Sequence, residues 1–267
     1  TLPLLALPCV VTAFTVSSYG SRVARGLRKV DAGEQFSADA GSGYLAVAQS
    51  LQNAAPVLAI VLLWLASQTI ASDLSNDTLR NSIIRNVRRK DILFGKVSVL
   101  LAMMIVGWGA AAGTAIGVSA TTVGFGDLEE VTRYGDRNLL ANAADVWPVM
   151  LIALTQMVLP LAAVIAIGAA ASAIAKRPAL ALALAALLIM LPEFARDVAG
   201  ERTGWLLTSH LPISIRDDSV LNYLAAVSRG AADAVWVWSD LAIYAPTAWF
   251  VAFAALLSLL ISRLRIS

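Results

Sequence analysis

Six stretches of fifteen or more residues carry no Asp, Glu, Lys or Arg, and together they take up more than half of the chain. Runs of that length leave too little polar surface to face water, whereas about 20 apolar residues suffice to cross the roughly 30 Å hydrocarbon layer of a bilayer. The spans are placed at residues 1–19, 54–72, 97–123, 146–175, 178–192 and 241–262. Composition agrees: 58% of the residues are hydrophobic and 14% charged, against roughly a quarter charged in soluble domains. A soluble enzyme and a disordered chain are both excluded on these grounds. The expected fold class is all-α, a polytopic membrane protein with six transmembrane helices forming a single transmembrane domain over 1–267.

Basic residues set the expected orientation, because Lys and Arg are retained on the cytoplasmic side of short loops. If the segments after spans two, four and six lie inside, they hold Arg80, Arg85, Arg88, Arg89, Lys90, Lys96, Lys176, Arg177, Arg263 and Arg265 against only Asp73, Asp77 and Asp91. Both termini are then cytoplasmic. The segment 20–53 dissents, since Arg22, Arg25, Arg28 and Lys29 fall outside in this assignment. No basic region precedes the first span, so a signal peptide is not expected and the chain is read as starting inside or just before that span. Trp147, Trp236 and Trp238, near span ends, are expected to anchor in the headgroup layers.

Chemistry-bearing residues are sparse. Cys9 is alone and His210 is the one histidine, which removes multi-Cys metal sites and paired-His motifs. Neither a catalytic nor a metal site is expected, and no nucleic-acid partner. In the third span Gly109, Gly113 and Gly117 recur every fourth residue and share one helical face, open to close packing by a helix of the same chain or of a second copy. Glu193, Arg196 and Asp197 stand at helical spacing beyond Pro192 and predict an interfacial salt bridge. Asp217 and Asp218 read as solvated.

The segment 73–96 is the most informative. Asp77 can cap a short helix, with Leu79 and Ile83 on one face, Ile84 and Val87 beside them, and Asn86 as a stop. Arg88, Arg89 and Lys90 then lie at the headgroups, where anionic lipid attracts them. The segment resembles, without gaps, the loop of type-2 ABC exporter permeases, Glu-x-x-x-Gly-Thr-Leu-x-x-Leu-Leu-x-x-Pro-x-x-Arg-x-x-x-x-x-Gly-Lys. Asp73, Thr78, Leu79, Ile83, Arg89, Gly95 and Lys96 match it, while Asp77, Ser82 and Asn86 depart from it.

This resemblance implies a coupling helix that docks on a separate ATPase. Leu79 and Ile83 would be its apolar knobs, and Arg80, Arg88 and Arg89 would pair with acids on the ATPase rim. It further implies ATP and Mg in that partner rather than in this chain, a second copy of the chain or a related permease, and a multi-pass location in a bacterial plasma membrane. A membrane-embedded enzyme and an ion-coupled carrier are the alternatives. Both call for reactive or ionisable groups within the spans, and the spans hold essentially none.

The fifth span has only 15 residues, about 22 Å of helix, too short for a straight crossing that ends at Pro192. Residues 193–240 are therefore expected to re-enter the outer half of the bilayer as short helices, with Trp205, Leu206 and Leu207 buried. By the resemblance this segment, with Glu193 and Arg196, forms the external gate.

Overall fold

The structure, a computed structural model, describes residues 2–31, 42–75, 89–131, 137–175, 177–194, 196–213, 218–231, 234–237 and 239–263. The long helices are α1 (Leu2–Asp31), α2 (Gly43–Ser75), α3 (Arg89–Thr122), α4 (Ala143–Gln156), α5 (Val158–Ala175), α6 (Pro178–Phe194) and α9 (Tyr244–Arg263). Between α6 and α9 lie the short helices α7 (Arg196–Ala199) and α8 (Val220–Val227), with 3₁₀ turns at Gly200–Trp205 and Leu207–His210. Four segments are long and apolar enough to cross a membrane, namely Pro3–Arg25, Gly43–Asp73, Phe94–Thr122 and Ala143–Ala175, and Pro178–Phe194 and Tyr244–Leu260 are shorter apolar helices. This is the constitution of a membrane protein.

The all-α expectation needs one correction. Strands β1 (Leu128–Val131) and β2 (Arg137–Ala141) form an antiparallel hairpin between α3 and α4, with Leu128 opposite Ala141. Their residues are too few and too irregular in alternation to have stood out beside the spans. Asp127 accepts the Ala143 amide at 2.8 Å and so ties the hairpin to the start of α4.

Helix ends also differ from the apolar runs. Helix α1 continues to Asp31, taking Arg22 and Arg25 into helix rather than loop, and α2 begins at Gly43, well before residue 54. Polar residues extend a helix readily once its apolar core is fixed, because propensity alone varies little among them.

The long fourth span is two helices. Pro160 has no amide to give to the Gln156 carbonyl, and its ring crowds that carbonyl, so the helix breaks at Met157. The indole of Trp108 on α3 donates to the neighbouring Leu154 carbonyl at 2.8 Å. Broken backbone is tolerated at membrane depth when a neighbour satisfies it in this way.

Helix α5 is apolar all round, and most of it, from Pro160 to Ala173, is buried, as expected for a helix enclosed by others. It packs against α2, α6 and α9, while α2 also contacts α1, α3, α6 and α8. The α2–α5 crossing is close enough to need glycine. A Cβ on Gly168 would stand 2.7 Å from the Ala66 Cβ and 3.2 Å from the Leu63 carbonyl oxygen. One turn further along α5, the Ser172 hydroxyl accepts the amides of Ile70 and Ala71 on α2 at 2.9 and 2.8 Å.

Candidate functional site

Two polar clusters stand at opposite ends of the helices. The first closes the base of segment 73–96. Lys96, two turns into α3, forms an ion pair with Asp73 in the last turn of α2, and its Nζ also donates to the Thr69 carbonyl at 2.8 Å. On the other side of α2, the Ile70 and Ala71 amides are held by Ser172. The final turns of α2 are thus gripped by α3 through charge and by α5 through a hydroxyl. The charged contact follows from sequence position, since Asp73 and Lys96 bracket the segment at the ends of two apolar runs, whereas the Ser172 contact comes from the packing of α5 on α2. Such a clasp fixes the two ends of the segment relative to each other and to the central helix.

Of the residues expected to engage a partner, Asp77, Thr78, Leu79, Arg80, Ile83, Ile84 and Arg88 lie outside the described residues. Arg89 is the first residue of α3.

The second cluster lies where α6 ends. Arg196 is buried, and among the described residues it is the one buried Lys, Arg, Asp or Glu side chain. Its guanidinium pairs with Glu193 at 3.0 Å and with Asp218, and Thr208 donates its hydroxyl to Glu193. The sequence suggested the Glu193–Arg196 pair. It placed Asp218 in solvent, whereas the structure brings it back 22 residues along the chain onto the same guanidinium. Asp217 lies outside the described residues, and so does the Asp197 side chain.

The 3₁₀ turns are knit in beside this cluster. Ser209 donates to the Thr203 carbonyl at 2.7 Å, and the His210 Nε2–H donates to the Gly204 carbonyl at 2.8 Å. Burial lowers the His210 pKa below its ordinary 6.5, partly opposed by that hydrogen bond. Of the three residues expected to be buried, Leu207 is buried, Leu206 is half-buried and Trp205 is 49% exposed. The Trp205 carbonyl accepts the Trp249 indole N–H at 2.7 Å, a bond that itself lies at the surface, and the Trp205 ring stays outside.

Two further expectations change. Trp147 is half-buried in a ring trio with Tyr44 and Phe125, at centroid distances of 5.7 and 5.3 Å, and Trp236 stacks on Tyr223. Both therefore pack on protein as well as standing near span ends, and Trp238 lies outside the described residues. Nothing in the described chain comes within 4 Å of where a Cβ on Gly109, Gly113 or Gly117 would stand. That face is open rather than packed within the chain. The close crossing uses Gly168 and Ser172 instead, a small-x-x-x-small pair that was visible in the sequence but masked by a run of alanines.

Compared with protein-family models, curated proteins and solved structures, the chain finds no match in any of the three.

Proposed function

We propose that the chain is the permease subunit of an ATP-driven exporter of the type-2 ABC kind, with six spans and both termini cytoplasmic, coupled through residues 77–90 to a separate ATPase subunit that binds ATP and Mg. The observation that carries this reading is the gap-free match of segment 73–96 to the coupling loop of that family. The clasp of Asp73, Lys96, Thr69 and Ser172 suits the role, because a docking segment transmits force only if its base is tied to the helices that must move. The buried Arg196 cluster at the far end of α6 is the external gate of this reading, with Glu193, Arg196, Leu206, Leu207 and the exposed Trp205 around it.

A second copy of the chain, or a related permease, completes the assembly. The open face of Gly109, Gly113 and Gly117 is where close helix approach would be unobstructed. The test is to purify the chain from its native membrane in mild detergent and identify what accompanies it. A P-loop ATPase in stoichiometric amount is expected. Its consistent absence, with the chain intact and folded, would refute the reading.

A further inference from the structure

Between the second half of α2 and the first half of α3 runs an open groove of 710 Å³, within the roughly 300–1,000 Å³ typical of small-molecule sites. Its α3 wall runs from Asp91 to Met103, about 18 Å of helix at 1.5 Å per residue. That length is close to half of the roughly 30 Å hydrocarbon layer, the depth of one leaflet.

The lining is graded. Trp64, Leu100 and Met103 form the end deep in the spans, while Ser72, Asp91 and Lys96 form the end at the span boundary. Gly95 sits on the wall, and a Cβ there would meet nothing within 4 Å. Glycine inside a helix costs about 1 kcal/mol relative to alanine. No packing within the described chain requires this one, and its effect is to keep the groove wide.

The polar end carries both signs. Lys96 has three N–H groups, of which Thr69 and Asp73 take two. Among the described residues nothing takes the third, which can meet a ligand oxygen. Asp91 is exposed at the same end, so the charged residues of the lining, Asp91 and Lys96, are one of each sign, which matches a headgroup that itself carries both signs.

From this we infer that the groove is a binding site for one zwitterionic phospholipid with a primary-amine headgroup. Its phosphate takes the free Lys96 N–H, its ammonium donates to Asp91, and an acyl chain lies along Trp64, Leu100 and Met103. A trimethylammonium group has no N–H to give Asp91, so phosphatidylcholine should bind less well than phosphatidylethanolamine. The inference requires only that α2 and α3 span the bilayer, and it holds whether or not the chain is an ABC permease.

The full chain, delipidated in detergent, is offered equal amounts of phosphatidylethanolamine, phosphatidylcholine and phosphatidylglycerol with identical acyl chains, and bound lipid is counted by native mass spectrometry. We expect phosphatidylethanolamine to be retained about tenfold over each of the others, the factor supplied by one charge-assisted hydrogen bond. Gly95→Trp, which fills the groove, should abolish retention, whereas Val106→Trp, on an exposed part of the same helix outside the groove, should not. Asp91→Asn should keep a lipid bound but lose the preference between ethanolamine and choline. Equal retention of all three lipids, a preference for phosphatidylglycerol, no bound lipid, unchanged binding by Gly95→Trp, or an unchanged preference in Asp91→Asn would each overturn the inference.

Discussion

Replacing Gly168 by alanine perturbs the crossing on which the helix arrangement turns. The added Cβ would lie 2.7 Å from the Ala66 Cβ, 3.2 Å from the Leu63 oxygen and 3.3 Å from the Ser67 nitrogen, against ordinary contacts of 3.4–4 Å. Two of the three neighbours are α2 backbone atoms, which no rotamer change can move aside, so α2 and α5 must separate by most of an ångström. Overpacking of this kind costs about 1–3 kcal/mol. Separation also stretches the two bonds to Ser172, now 2.9 and 2.8 Å, beyond useful length, at about 0.5–1.5 kcal/mol each. Against this stands the helix-propensity gain of alanine over glycine, about 1 kcal/mol.

The expected net destabilisation of Gly168→Ala is therefore about 1–5 kcal/mol. Gly109→Ala has no neighbour to meet and should be neutral or stabilise slightly in the monomer, by at most the propensity term of about 1 kcal/mol. The assay is thermal or denaturant unfolding of the monomer in one detergent, followed by tryptophan fluorescence. A Gly168→Ala variant as stable as the wild type, or a Gly109→Ala variant less stable than Gly168→Ala, would refute the packing argument.

Other outcomes follow from the two polar clusters and from the orientation. His210 is held neutral in the fold, so the unfolded chain takes up its proton first as pH falls. Stability should be flat above about pH 7 and decline below about 6.5 until the lowered folded pKa is passed, with a slope of at most about 1.4 kcal/mol per pH unit from this group, and His210→Gln should remove that portion of the pH dependence in unfolding titrations. Exchanging the clasp charges, Asp73→Lys with Lys96→Asp, should recover part of the stability lost in either single variant; a double variant no better than the worse single would show that charge pairing is not what joins α2 to α3. Single cysteines at Ser82 and Ser267 should react only with reagents that reach the cytoplasm, and one at Asn138 from outside; labelling of the Ser82 position in intact cells by an impermeant reagent would invert the orientation.

What could be read from the sequence was what hydrophobic runs determine. The apolar character of the helices, the shortness of the one that begins at Pro178 and the pairing of Glu193 with Arg196 come from composition and local spacing. The helix break at Met157 was within reach, since Pro160 sits inside the run, but a continuous apolar stretch draws the eye past a single residue whose effect lies four positions upstream. The Asp218–Arg196 pair and the Ser172 bonds to α2 join residues far apart in sequence, and only tertiary packing reveals them. The hairpin at 128–141 carries no periodicity strong enough to compete with the spans around it. The glycine stripe of α3 was singled out because its period is regular, yet whether a face is packed depends on what lies opposite it, which spacing alone does not state.

The proposed coupling role rests on residues 77–90, and ATP hydrolysis by the assembled complex tests it. With the ATPase partner reconstituted beside the chain in nanodiscs, Ile83→Asp should abolish pull-down and the stimulation of hydrolysis, and Arg80→Ala should weaken them only modestly, because buried apolar anchors carry more binding energy than rim charges. Wild-type binding and hydrolysis in the Ile83→Asp complex would contradict the account.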